Sequence, residues 1–241
     1  MDPLLAVTLS IPLVLLMLAA GIPVFASLGV AGFLGCVAVS GMDMAMLQLK
    51  LFAYVQTASY LMVVVPLFII MGHFAFKAGI GKDVYLVGRK WFSRFPAGLG
   101  VATIFGCAGF AACTGSSVAT AATMGSVAVP EMREQGYDPK MACGIVAGGG
   151  VLGILIPPST MLVFYGVITD TSVGSMLVAG VIPGIITVLI YILGLISLGL
   201  IDPTLMPKPV PVSWGERFRC LKYGLGAFLI FSIIVGGIYI G

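Results

Sequence analysis

Six stretches of this chain carry no Asp, Glu, Lys or Arg at all: 3–42, 51–76, 95–130, 141–169, 171–201 and 223–241. A helix that crosses a bilayer needs about 20 consecutive apolar residues, and each stretch approaches or exceeds that length. A domain folding in water carries roughly 25% charged residues, whereas here 9% are charged and 60% are hydrophobic. The pattern predicts an all-α polytopic membrane protein, whose first partner is the lipid bilayer. The start, Met1-Asp2-Pro3, is acidic, and the apolar run passes well beyond the roughly 7–15 residues of a signal-peptide core. A cleaved signal is therefore not expected. Cys36, Cys107, Cys113, Cys143 and Cys220 contain no C-x-x-C pair. They read as small packing residues rather than a disulfide or metal set.

The run 3–42 is too long for one pass and is interrupted at Gly21-Ile22-Pro23. Proline removes a helix hydrogen bond and disfavours helix just before it, so the expected spans are about 4–20 and 23–40, with a third over about 58–76. In 82–95, Val84, Val87, Trp91 and Phe95 recur at helical spacing among Lys82, Arg89, Lys90 and Arg94. That is the pattern of an amphipathic helix lying at the interface. Residues 213–222 read similarly and lead into a last span over 223–240. The linker 202–213 holds Pro203, Pro207, Pro209 and Pro211 and is expected to be extended.

Orientation follows from Lys and Arg in the loops. Lys77, Lys82, Arg89, Lys90 and Arg94 place 77–94 in the cytoplasm, and Lys208, Arg217, Arg219 and Lys222 do the same for 208–222. With three spans before 77, the N-terminus is expected outside. A single crossing by 95–130 puts 208–222 on the wrong side. A re-entrant hairpin restores the rule, and Cys113-Thr114-Gly115-Ser116-Ser117 at its middle is a polar turn where a span is normally most apolar. The expectation is about six spanning helices, a re-entrant hairpin and a broken helix.

Irregular backbone at membrane depth is tolerated only where protein or a water-filled cavity surrounds it. Two such places stand out, Thr114-Gly115-Ser116-Ser117 and Ile156-Pro157-Pro158-Ser159-Thr160. Adjacent prolines leave carbonyls without intrahelical partners. With the hydroxyls of Ser159 and Thr160 these are hard oxygen ligands suited to Na⁺. The helix N-termini at such breaks present positive dipole ends to an anion. Each break alone has a plain structural reading, as a close helix contact or a kink. Together, at similar depth, they favour a site. Gly144/Gly148, Gly149/Gly153 and Gly180/Gly184 read as packing pairs. The G-x-G-x-x-G at 148–153 lies in an apolar span with Pro157 after it, so a dinucleotide fold is rejected. No G-x-x-x-x-G-K-[ST] or G-x-S-x-G is present. An intramembrane serine hydrolase using Ser116 or Ser117 is a second reading, but it offers only His73 or a lysine as base. A non-transporting scaffold is a third.

From Val65-Pro66-Leu67-Phe68-Ile69 to about Ile196 the sequence resembles the large membrane subunit of tripartite ATP-independent periplasmic (TRAP) transporters. The most specific elements are Gly115-Ser116-Ser117, Met124-Gly125-Ser126, Pro130-Glu131-Met132, Gly136-Tyr137-Asp138, Ile156-Pro157-Pro158-Ser159, Tyr165-Gly166 and Ala179-Gly180-Val181-Ile182-Pro183-Gly184. The resemblance implies no enzyme and no cofactor. It implies an elevator-type, Na⁺-coupled permease of a bacterial inner membrane that imports carboxylates such as C4-dicarboxylates. Its partners are a periplasmic substrate-binding protein and a small four-helix membrane subunit. By position it places the substrate at Thr114, Ser116, Ser159 and Thr160. It places Na⁺ at Thr114, Gly115, Ser116, Ser117, Ile156, Pro158 and Ser159. Scaffold helices and an interfacial arm would occupy 1–96. Half of a transport domain would occupy 97–200, as a hairpin over 97–130, a broken helix over 140–175 and a helix over 177–200. A loop, arm helix and last span would fill 201–241. Thr114 stands where a serine is usual. The family resembles two inverted repeats, of which this sequence carries the first, so a fragment or split gene product is expected, one that does not transport alone.

Overall fold

The computed structural model describes residues 2–58, 63–202, 206 and 212–240. Among them all regular structure is helical, in eleven α-helices: α1 Pro3–Ala19, α2 Val24–Ser40, α3 Met42–Thr57, α4 Val64–Lys77, α5 Ile80–Phe92, α6 Gly98–Thr114, α7 Ser117–Glu134, α8 Pro139–Leu155, α9 Thr160–Ile168, α10 Val173–Ile201 and α11 Trp214–Ile240. They form two compact units, Met1–Met62 and Val63–Gly241.

In the first unit α1 packs on α2, and α2 on α3. The predicted break at Gly21-Ile22-Pro23 is present. Gly21 adopts φ +81°, its N–H donates to Leu18 O at 3.0 Å, and Ile22 N–H donates to Met17 O at 3.0 Å. That paired arrangement ends a helix on a left-handed glycine. Helix α3 falls on 42–57, a segment with no expected element. Asp43, Gln48, Lys50 and Gln56 interrupt its apolar pattern.

The second unit is built on α6, α7 and α8. α6 and α7 run antiparallel as a hairpin, since Gly100 meets Tyr137, Thr103 meets Met132 and Thr114 meets Thr120. Phe110, Met124, Met132 and Leu152 are fully buried between them and α8. Residues 95–130 are thus not one continuous helix but two antiparallel helices joined at Gly115 and Ser116. α5 turns 60° from α4 and buries Ile80, Val84, Tyr85 and Val87 against α6 and α11, while Arg89 on its polar side pairs with Glu131 of α7. Outside this core the surface is apolar. Ile190 and Leu193 of α10 and Phe228 and Ile233 of α11 are exposed, an inversion that lipid tolerates and water does not.

Two expectations are corrected. The arm over 213–222 and the span over 223–240 are one uninterrupted helix, Trp214–Ile240. Arg217, Cys220, Gly224 and Ala227 form one stripe, buried at all but the half-buried Gly224, and no breaker lies between Lys222 and Tyr223. Nor, among the described residues, are there six separate helices each long and apolar enough to span. α10 and α11 are each long and apolar enough to cross a membrane, and the bent pairs α4–α5 and α8–α9 raise that number to four. The 17-residue helices α1, α2 and α6 reach about 25 Å, short of the roughly 30 Å hydrocarbon core. Of the Pro-rich linker, 203–205 and 207–211 lie outside the described residues; Met206 is buried.

Between α7 and α8, Gly136-Tyr137-Asp138 performs three separate tasks. Gly136, at φ +91°, ends α7 with its N–H on Arg133 O and the Tyr137 N–H on Met132 O. The Tyr137 hydroxyl accepts the Gly100 N–H at 3.3 Å, satisfying the start of α6. Burial raises the Tyr137 pKa, so the capping oxygen stays neutral. Asp138 Oδ1 accepts from Lys140 N–H and Met141 N–H at 2.9 and 3.2 Å, capping α8 ahead of Pro139. Gly136→Ala forces a side chain into the left-handed region and is expected to cost about 1–2 kcal/mol. Asp138→Ala is expected to cost about 1 kcal/mol. Thermal unfolding of the purified protein in detergent checks both as lowered midpoints, and Arg133→Gln should leave the midpoint nearly unchanged.

Candidate functional site

The hairpin tip and the double-proline break meet. α6 stops because Gly115 takes φ +60° and closes the last turn on Ala111 O at 2.9 Å. Ser116 is extended and caps α7, its Oγ accepting the Ala119 N–H at 3.4 Å. In the other element, Ile156 leaves α8 in extended conformation and Ser159 caps α9, its Oγ accepting the Leu162 N–H at 3.4 Å. The Pro157–Pro158 bond is cis. A single carbonyl joins the two breaks. Gly115 O accepts from the Thr160 N–H at 3.3 Å and from Thr160 Oγ1 at 3.0 Å.

The proline chemistry explains Ser159. Pro158 has no N–H for the carbonyl four residues back, Ile154 O. Ser159 Oγ supplies the missing donor at 2.8 Å. Ser159 is fully buried, and Pro157 and Pro158 are both buried. Thr114 Oγ1 donates to Phe110 O at 3.1 Å and lies 3.4 Å from Thr120 Oγ1. Three hydroxyls, on Thr114, Ser159 and Thr160, have thus given their proton to a backbone carbonyl. Their remaining valence is lone-pair acceptance.

The elements come this close because glycines line them. A Cβ on Gly153 of α8 would stand 2.5 Å from Ser116 O, and one on Gly150 would stand 2.7 Å from Ala121 Cβ. Gly149 sits against Cys107. On α10, Gly180 and Gly184 face Leu155 O and Ile156. Two of the three expected small-residue pairs therefore pack, while Gly144 and Gly148 have open space around them.

Of the predicted site residues, Thr114, Gly115, Ser116, Pro158, Ser159 and Thr160 are gathered at this junction. Ser117 begins α7 beside Gly153, and Ile156 turns its side chain to Gly184. The Gly115 carbonyl is taken twice by Thr160. Residue reasoning missed Thr120, whose hydroxyl meets Thr114, and Gly72 of α4, where a Cβ would stand 3.2 Å from Thr114 Cα. A hydroxyl four residues after Ser116 in an apolar helix was the available signal for the first. The hydrolase reading finds no support here. Ser116 Oγ is spent on capping, and neither it nor Ser117 is bonded to His73 or a lysine among the described residues.

Two helix breaks meeting at one buried point, among helices with apolar outer faces, are the kind of discontinuous helix that secondary transporters build their sites from. Comparison with known proteins gives the family. The family model for the DctM component of tripartite ATP-independent periplasmic transporters matches residues 11–241, and the chain belongs to that family. It is 34% identical over 237 residues to the C4-dicarboxylate TRAP transporter large permease protein DctM of Vibrio cholerae, covering 98% of this chain and 52% of that protein. It is 36% identical over 219 residues to the protein of the same description from Pseudomonas aeruginosa, covering 89% and 49%. The ectoine TRAP transporter large permease protein TeaC of Halomonas elongata is 28% identical over 223 residues, covering 92% and 51%. The chain spans about half the length of these curated relatives.

Gly115→Ala meets two obstacles: a positive φ and the Pro158 carbonyl lying where the methyl would go. It is expected to destabilise by more than the roughly 1–2 kcal/mol of the backbone term alone. Gly144→Ala, with free space, should be near neutral or slightly stabilising. Paired thermal-unfolding measurements check the contrast.

Proposed function

We propose that the full-length protein containing this sequence is the permease subunit of a Na⁺-coupled secondary transporter, importing small organic anions across a bacterial inner membrane. A periplasmic binding protein delivers the substrate, and a small four-helix membrane subunit braces the permease. The N-terminus is periplasmic, and 77–94 and 208–222 are cytoplasmic. The observation that carries this reading is the shared carbonyl, Gly115 O with Thr160, which joins two helix breaks at one buried point.

The donor set fits the ion. Among the described residues no group of three or more His, Cys, Asp or Glu is gathered. The oxygens of Thr114, Ser116 and Ser159, with the carbonyls at Ile156 and Pro158, are hard and neutral. Neutral oxygen suits a monovalent hard cation, not a transition metal. Na⁺ supplies a positive charge that the breaks lack. The chain's own part is to hold both tips at a fixed separation. The starts of α7 and α9 lie beside these oxygens. Ser117 and Val118 N–H have no intrahelical partner, and the positive helix ends favour a carboxylate. The relatives are named for C4-dicarboxylates and for ectoine, so what they share is machinery rather than one molecule. Carboxylate is the class we assign. In the elevator cycle, 97–200 forms half of the moving domain, against a scaffold drawn from 1–96 and 201–241.

The test is uptake by the full-length permease reconstituted with its partners. Ser159→Ala and Thr160→Val are expected to raise the half-saturating Na⁺ concentration about tenfold, the equivalent of roughly 1.4 kcal/mol. Thr160→Ser, which keeps the hydroxyl, should restore it. Unchanged Na⁺ dependence in Ser116→Ala and Ser159→Ala together would remove the site assignment.

A further inference from the structure

The end of α5 and the start of α11 hold an arginine that burial leaves unfinished. Arg217 is only 5% exposed. Its Nη2 donates to Ser93 Oγ at 3.4 Å, its guanidinium lies 4.9 Å from the Trp214 ring centroid, and its backbone carbonyl accepts Trp91 Nε1–H at 3.2 Å. Its Nε is buried with no partner. A second guanidinium, that of Arg94, lies 5.4 Å from the same ring. The nearby cations that have a counter-charge are Lys90, 3.7 Å from Glu216, and Arg89, paired with Glu131. Neither Arg94 nor Arg217 is in an ion pair among the described residues. Two positive charges converging on one indole without a carboxylate, one of them buried, are costly unless an anion joins them.

What lies beyond the pair narrows that anion's chemistry. One turn after Arg217, Leu221 opens a cavity of about 610 Å³, with Val87, Phe105, Leu225, Phe228 and Phe231 in its wall. From Leu221 to Phe231 helix α11 advances about 15 Å, half of the roughly 30 Å hydrocarbon thickness. A free anion has no use for such a groove. A peptide would bring backbone donors and acceptors that these side chains cannot satisfy.

We propose that Arg94, Trp214 and Arg217 bind the phosphate of an anionic phospholipid, whose acyl chain lies along α11 in this groove. Guanidinium matches phosphate geometry with paired donors. The tryptophan sits where aromatic side chains favour the membrane–water boundary, and basic pockets between membrane helices suit anionic headgroups.

The experiment uses the full-length protein in detergent, with whatever subunits co-purify. Phosphatidylglycerol, phosphatidylcholine or inorganic phosphate is titrated while the thermal midpoint is read, and retained lipid is counted by native mass spectrometry. Phosphatidylglycerol is expected to stabilise saturably, with inorganic phosphate and phosphatidylcholine giving little. Arg94 is exposed, so Arg94→Gln leaves folding intact. It should raise the half-effective phosphatidylglycerol concentration about tenfold, the value of one charge-assisted contact. Arg219→Gln, which removes an equal charge from an exposed position of the same helix, should not. Leu225→Trp, filling the groove, should also weaken phosphatidylglycerol. Equal responses of Arg94→Gln and Arg219→Gln overturn the proposal. So does a full effect from inorganic phosphate, which marks a free-anion site. So does no effect of phosphatidylglycerol, which marks a surface covered by protein.

Discussion

A backbone carbonyl or amide buried away from water must find a partner or cost several kilocalories. In this protein the requirement is met at its hardest point by one bond set, Gly115 O with Thr160 N–H and Oγ1. A helix that stops midway leaves up to four donors or acceptors unpaired at each end. Here two interruptions are placed so that each supplies the other. The rest of the second unit follows from keeping them there. α8 must run alongside both arms of the hairpin, so its contact face is Gly149, Gly150 and Gly153. α10 must approach the same break from the other side, so it carries Gly180 and Gly184. The packing that makes this fold is close backbone approach, as expected where lipid tails compete equally for apolar contact.

Much of the local grammar was legible in the residues. Gly21-Ile22-Pro23, Gly115-Ser116 and Pro157-Pro158 each end a helix by a local steric preference, although Pro12, Pro130 and Pro183 show that a lone proline can stay inside one. The hairpin was legible for another reason: basic loops constrain the parity of crossings. Some features were hidden because they depend on partners in three dimensions. Helix α3 lacks a clean apolar period, and Asp43 and Lys50 interrupt it. The continuity of α11 was misread because charge ends at Lys222 while the buried stripe through Arg217, Gly224 and Ala227 continues. Composition marks where polarity changes, not where a helix stops. Thr120 and Gly72 became site neighbours only once the register of α7 and the approach of α4 were known. The Gly144/Gly148 pair shows the converse, since spacing alone cannot say which small-residue face finds a helix to touch within these residues.

The proposed coupling has a simple physical basis in these four helix ends. α6 and α8 arrive with their C-termini, where carbonyls and negative dipole ends favour a cation. α7 and α9 leave with their N-termini, where N–H groups favour an anion. Ser159 and Thr160 belong to both sets. Each has donated its hydroxyl proton to a carbonyl, at Ile154 and Gly115 respectively, and each lies at the start of a helix. In the proposed coupling, a cation that tightened the oxygens on one side would also fix the amides on the other, so each ligand would lower the ordering cost of its partner. Linkage makes that relation reciprocal: whatever factor the cation adds to anion affinity, the anion adds to cation affinity. A carboxylate among the donors would hold the cation more tightly and repel the carboxylate of the substrate. In the proposed coupling, donors of neutral oxygen and backbone leave the bound cation to supply the charge that draws the anion.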